Sequence, residues 1–230
     1  MDNVGHGRPA GPSAPATDQP RQVTGAATVA TVLIALHLAW QLLVTFGNWR
    51  LYFLIHDFLA GKATAEELLA ADSDFIAKVG STAGWILVGA ASGIAFLVWL
   101  WRARINSELM SGAAAHRRTR GWTVGSWWTP VANLWIPYQV TTDIWRASSP
   151  RRQAPAALLG SWWACYLVAL LLSPIQRNVA SEIESEQDVL SAAQLDTVLT
   201  LLIVAAGLLL IVIVRRVTAW QNAALPALQR

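Results

Sequence analysis

Four stretches of the chain, Thr24 to Phe46, Ser81 to Trp101, Ala156 to Ser173 and Thr197 to Val214, carry no charged residue. Each is long enough, at about 18 residues or more, to cross a hydrocarbon core as an α-helix, the form in which a segment satisfies its own backbone without water. The pattern predicts an all-α membrane protein built as a four-helix transmembrane bundle. The last two stretches are near the minimum length, so little tilt is expected of them. Between the second and third lies a further apolar segment, Gly121 to Trp145, charged only at Asp143. Pro130 and Pro137 divide it, which predicts a helix to about Thr129, a break around Asn133 and a second helix from Pro137. On that second helix Gln139, Thr142, Asp143 and Arg146 fall on one arc, with Val140, Ile144 and Trp145 elsewhere, the pattern of an amphipathic interfacial helix.

Charge decides whether this segment is a fifth span. With four spans, the N-terminal tail, the middle loop and the C-terminal tail share one side with thirteen basic and four acidic residues, against four basic and ten acidic on the other. Basic loops stay cytoplasmic, so both termini are placed inside, at the plasma membrane. A fifth span would divide the basic residues eight to nine and erase the bias. Arg117, Arg118 and Arg120 before the segment, and Arg146, Arg151 and Arg152 after it, anchor it at both ends. It reads as a broken, interfacial or re-entrant cytoplasmic helical element over about 121–148. The domain plan is a disordered tail over 1–23, a single membrane domain over 24–221 and a short tail over 222–230. No signal-peptide cleavage pattern closes the first apolar run, so that span is expected to stay as an anchor. In the first outer loop Thr64 and Glu67 have capping-box spacing, opening a short helix to about Lys78. The second outer loop carries Glu182, Glu184, Glu186 and Asp188, a solvated acidic surface.

Composition agrees with lipid as the solvent: of 230 residues, 54% are hydrophobic and 13% charged. Thirteen tryptophans belong to the same picture, because an indole buries its ring at headgroup level while its N–H stays wet. The single cysteine, Cys165, sits in an apolar run as a small hydrophobe. Fifteen arginines against two lysines suggest a GC-rich, bacterial source. No HExxH, G-x-S-x-G, Walker loop or Cys/His metal spacing occurs, so neither enzyme activity, a metal nor a cofactor is expected. The positive charge follows membrane topology rather than forming a soluble patch, which argues against nucleic acid as a partner.

Polar chemistry is concentrated in two places. Within the first span, His37 and Gln41 share a helix face deep in the membrane, where such groups either bond a neighbouring helix or line a pathway. Gly89 with Gly93, and Gly160 with Ala164, are spaced for close helix packing. In the middle loop, Arg102, Arg104 and Asn106 continue the second helix, with the guanidiniums expected at headgroup level either as snorkelling anchors or as phosphate ligands. Asn133, at the break, is placed to cap freed backbone, or to join an anion site near the arginines.

The run WLWRARIN, then GW, then PVANLWIPYQVTTDIWRAS, then the paired Trp162 and Trp163, resembles the bacterial membrane family called domain of unknown function 4328. The resemblance runs over roughly Thr24 to Gln221. It implies a multi-pass membrane protein of actinobacterial type with Arg102, Arg104, Asn106, Pro130, Asn133, Trp135, Pro137, Tyr138, Gln139, Asp143, Trp145 and Arg146 as signature positions, and it supplies no catalytic residue.

The leading expectation is a non-enzymatic module whose Trp- and Arg-rich cytoplasmic face binds anionic lipid headgroups or a membrane or cytoplasmic protein. The binding candidates are Arg102, Arg104, Asn106, Asn133, Trp135, Tyr138, Gln139, Asp143 and Arg146. A small transporter or channel subunit using His37 and Gln41 comes second, with oligomerisation left open, and a membrane enzyme acting on lipid-linked substrate third. For the last, Asp143 is the one acid/base candidate, against a plain helical contact with Arg146 and Gln139.

Overall fold

A computed structural model describes residues 19–70 and 82–228. Four long helices, α1 (Thr24–Leu59), α2 (Thr82–Ser111), α5 (Ala156–Ser181) and α6 (Glu186–Leu228), contain the four charge-free stretches apart from Ser81, and each is long and apolar enough to cross a membrane. Between α2 and α5 lie a single turn, α3 (Trp122–Gly125), a 3-10 turn (Ala132–Leu134) and α4 (Ile136–Ser148). No strand occurs among the described residues.

The helices outrun the stretches that predict them. At 43 residues α6 spans about 64 Å, roughly twice the hydrocarbon thickness, so it projects from the bilayer. Pro174 does not stop α5 where the apolar run ends; Ser173 bonds back to the Ala169 carbonyl, and the helix continues to Ser181. Ser81 and the expected helix as far as Lys78 fall outside the described residues, though its start is present: Thr64 and Glu67 form the reciprocal capping pair, and residues 65–70 are helical.

The bundle has two ends. The start of α1 and the close of α6 meet at the terminal end, together with the exit from α2 and the whole of α3 and α4; the turn between α5 and α6 lies at the opposite, hairpin end. Gly112, at φ 78°, closes α2 there with its N–H on the Glu108 carbonyl. The core is Ala30, Phe96, Trp99, Leu100, Trp162 and Val214, drawn from all four long helices. Outside it the surface is inverted relative to a soluble protein: Leu36, Phe46, Leu87, Ile94, Leu171 and Leu201 are each at least half exposed. Such apolar flanks are stable only against lipid tails.

Close helix approach uses a glycine the spacing did not single out. A Cβ on Gly207 would lie 2.7 Å from Leu38 Cδ2, so the Leu38 side chain of α1 packs directly on the α6 backbone there. Gly89 does face a neighbour, His37, at 3.2 Å from its would-be Cβ. Among the described residues nothing lies within 4 Å of a Cβ at Gly93 or Gly160, so close helix packing is not found at either.

Candidate functional site

Polar side chains gather in two layers, one toward each end. In the hairpin-end layer His37, Gln41 and Thr45 recur every four residues on α1 and face Trp85 of α2 and Asp196 and Thr200 of α6. The Trp85 indole N–H donates to Gln41 Oε1 (3.0 Å), and Gln41 Nε2 donates to Thr200 Oγ1 (2.9 Å). The Thr200 and Thr45 hydroxyls are 2.7 Å apart, and Thr45 donates to Asp196 Oδ2 at 2.6 Å. Donor counting fixes the direction. An indole only donates, so it holds the Gln41 oxygen toward itself and the amide nitrogen toward Thr200. Thr200 must then pass its proton to Thr45, and Thr45 its own to the carboxylate. Every link points at Asp196, which is 4% exposed. The chain ties α1, α2 and α6 together around one carboxylate. His37 stands apart, its ring 5.8 Å from Trp85, with Nδ1 buried and unpartnered among the described residues. Of the two candidates on this face, Gln41 is bonded across helices, while the His37 Nδ1 has no partner among the described residues.

The terminal-end layer is ionic. Arg104, expected at headgroup level, is 1% exposed. Its Nε and Nη2 lie 2.8 and 2.7 Å from Glu108 Oε1, one helical turn on, and Nη2 also donates to the Arg118 carbonyl at 2.6 Å. Arg120 Nε takes the other Glu108 oxygen. Burial and pairing therefore correct both expectations for Arg104: it is neither a snorkelling anchor nor open to a phosphate. Asn106, fully buried, accepts from the Arg21 backbone N–H (2.7 Å) and donates to the Arg21 carbonyl (2.8 Å), pinning the segment before α1. Gln221 of α6 donates to the Ala103 carbonyl and the Ser148 hydroxyl and accepts from Asn106, so one amide ties α2, α4 and α6. Arg102 is exposed, with one N–H on the Gln22 carbonyl.

Asp143 is gripped from outside its own helix. Arg117 donates its backbone N–H to Oδ2 (3.0 Å) and its Nε to Oδ1 (3.0 Å), with Nη2 2.9 Å from Oδ1. The expected contact is with Arg146 and Gln139; instead Gln139 accepts from Arg118, and Arg146 stays exposed. Nor is α4 a surface helix with one polar stripe: ten of its thirteen residues are buried, because α2 and α6 cover it. The Asp143 carboxylate is 3% exposed and closed over by Arg117. His116 sits beside this cluster, its Nε2 3.3 Å from Ser107 Oγ. Burial, and then the Arg104 charge, hold its pKa below the usual histidine value against the opposing pull of Glu108, Asp143 and Ser107.

The break is held by aromatics. Asn133 donates to the Tyr166 hydroxyl (3.4 Å) and its Oδ1 has no partner among the described residues, so it does not cap backbone as expected. That work falls to Trp163, whose indole N–H meets the Leu134 carbonyl at 3.0 Å. Trp163 stacks on Tyr166 (4.9 Å), with Tyr138 on its other side and Trp127 edge-on. The helix expected to Thr129 is one turn long, ending at Gly125 and followed by turns. On the outside of those turns Trp128, Val131, Leu134 and Trp135 form an exposed apolar edge, Trp128 at 76%.

Spacing alone could have found three residues the sequence reading passed over. Glu108 lies four after Arg104, Thr45 four after Gln41, and Thr200 four after Asp196. His116 carries no such signal.

Fold and sites together define an all-helical, multi-pass membrane protein with four candidate membrane-spanning helices and a cross-linked polar layer at each end. Residues 62–219, more than half of the chain, match the family model described as Domain of unknown function (DUF4328), and the chain belongs to that family. The match takes in every element from α2 to most of α6 and leaves α1 outside. No curated protein and no solved structure matches the chain.

Proposed function

We infer that the protein is a non-enzymatic module of the plasma membrane whose terminal end faces the cytoplasm and retains anionic phospholipid. One observation carries this reading: the arginines fall into two populations. Arg104, Arg117 and Arg120 are taken up by Glu108 and Asp143. Arg102, Arg146, Arg151, Arg152, Arg215 and Arg216 are exposed and have no carboxylate partner among the described residues. Six unneutralised guanidiniums at the end that also bears the Trp128 edge match an anionic leaflet, where each basic residue near the surface gains about 1 kcal/mol. The edge itself suits partial immersion at the acyl boundary. The test is native mass spectrometry of protein extracted from bilayers holding equal phosphatidylglycerol and phosphatidylcholine. Retained lipid should be strongly enriched in phosphatidylglycerol, and equal retention of the two would sink the reading. Orientation is checked separately in a Cys165→Ala background, where Glu184→Cys should react with impermeant maleimide from outside whole cells and Ala114→Cys only after lysis.

The transport reading keeps one observation in its favour, the unpartnered His37 nitrogen inside a membrane helix. The hydrogen-bond chain beside it leads to Asp196 and stops at Trp85, which supports a closed seam over a proton path.

A further inference from the structure

The geometry points to a defined phospholipid site in the groove between the start of α1 and the close of α6, with Arg215 as its phosphate ligand. The proposal rests on the lipid-retaining reading above and narrows it to one place. Thr24, Ala27, Thr28, Thr31 and Val32 form one wall, and Arg215, Thr218, Ala219 and Asn222 the other, around a cavity of about 390 Å³. That volume is within the range of small-ligand sites.

Three features commit the groove to a phospholipid. The first is level. Thr24 opens the charge-free run of α1 and Arg215 immediately follows that of α6, so the groove straddles the depth at which hydrocarbon gives way to headgroups. The second is charge. The Arg215 guanidinium is exposed, has no recorded hydrogen-bond or carboxylate partner among the described residues, and carries five N–H donors in a fork that fits phosphate oxygens. Asn222 gives one amide N–H to Thr24 Oγ1 (2.9 Å) and keeps its second beside it. No acidic side chain lines the cavity. The third is polarity along the walls. Thr24 and Asn222, at the terminal end, and the Arg215 guanidinium, one to two turns deeper, supply the polar groups, while Val32, about level with Arg215, is exposed and can flank an acyl chain. A soluble anion would use the first group and leave the second idle.

Neighbouring residues supply the controls. Arg216 is also exposed but does not line the cavity, so Arg216→Gln makes the same charge change beside the groove. Ala219→Trp fills the groove without altering charge, at an exposed position that should not disturb packing. Each variant is extracted from the mixed bilayers, and the tightest-bound phosphatidylglycerol is followed by native mass spectrometry as detergent removes lipid. Loss of one Arg–phosphate pair should weaken retention about tenfold in Arg215→Gln. Ala219→Trp should lose the same lipid, and Arg216→Gln should keep it. Equal losses from the two arginine variants would leave a diffuse electrostatic preference intact and overturn the groove. Retention by Ala219→Trp would overturn it as well. Lack of phosphatidylglycerol enrichment in the wild type would remove the broader reading with it. Near-ultraviolet circular dichroism confirms that each variant is folded before its lipids are counted.

Discussion

The two polar layers solve the same problem with different chemistry. At the hairpin end, regular helices need only to be held to one another, and neutral donors suffice. A row of amide, hydroxyl and indole groups runs along the α1 face and ends on a single carboxylate, Asp196. At the terminal end the chain between α2 and α5 is broken several times, and each break frees backbone groups that lipid cannot satisfy. There the protein uses full charges: Arg104 bonds the Arg118 carbonyl while paired to Glu108, and Arg117 bonds the Gln139 carbonyl while paired to Asp143. A guanidinium has donors enough to hold a carboxylate and a stray carbonyl at once, which neither a threonine nor a glutamine can match. Ionic pairing is added where the backbone is irregular, beside the neutral bonds that Asn106, Gln221 and Trp163 make at the same end.

The strongest way to break that comparison is to remove one ion. Glu108→Ala leaves Arg104 buried without its countercharge, and taking one member from a buried pair costs about 3–5 kcal/mol. The protein should lose most of its thermal stability in detergent, measured as tryptophan-fluorescence melting. An Arg104→Met, Glu108→Leu double variant removes the desolvation penalty with the charges and should recover much of the loss. If the double variant melts as low as the single one, the guanidinium bonds to backbone, rather than charge balance, dominate at this end.

The hairpin end should respond less. Asp196→Ala strands the Thr45 hydroxyl and, behind it, Thr200, at a cost of about 1–2 kcal/mol, since hydrogen bonds between membrane helices are modest. Asp196→Asn keeps an acceptor oxygen for Thr45 and should melt close to wild type. If Asn proves as damaging as Ala, the charge itself is required at Asp196, and the seam is a binding site for a cation rather than a clamp.

What was legible in the sequence follows the same division. The four spans are written in runs without charge, and the break between α2 and α5 in Pro130 and Pro137, because lipid tolerates few alternatives to each. The seam was half legible: His37 and Gln41 stood out as polar residues in an apolar run, but Asp196, one residue outside the run of α6, was not singled out. The terminal end was misread for a physical reason. An arginine just past a span looks the same in sequence whether it snorkels, as Arg102 and Arg215 are free to do, or folds back, as Arg104 does. The difference lies in Glu108, one turn on, and in the Arg118 carbonyl fourteen residues away, and the second leaves no mark in the local pattern. Burial of α4 was hidden likewise, since α2 and α6 cover both of its faces.

The finest test of the comparison is pH, because the terminal layer buries a histidine among charges outside the spans. Burial first, then Arg104, lowers the His116 pKa from 6.5, so the folded protein favours the neutral ring. Unfolded chains bind the extra proton at higher pH than folded ones, and stability therefore rises with pH across the interval between the lowered folded value and 6.5. The contribution is complete above 6.5, declines as pH falls through that interval, and is constant below it. Glu108 and Asp143 pull the other way, so the slope should be the smallest of the three effects. Melting temperature followed from pH 7.5 to 5 should show a downward drift that His116→Gln abolishes, since glutamine can still meet the Ser107 hydroxyl but cannot take up a proton. A drift that persists in His116→Gln would overturn the assignment to His116.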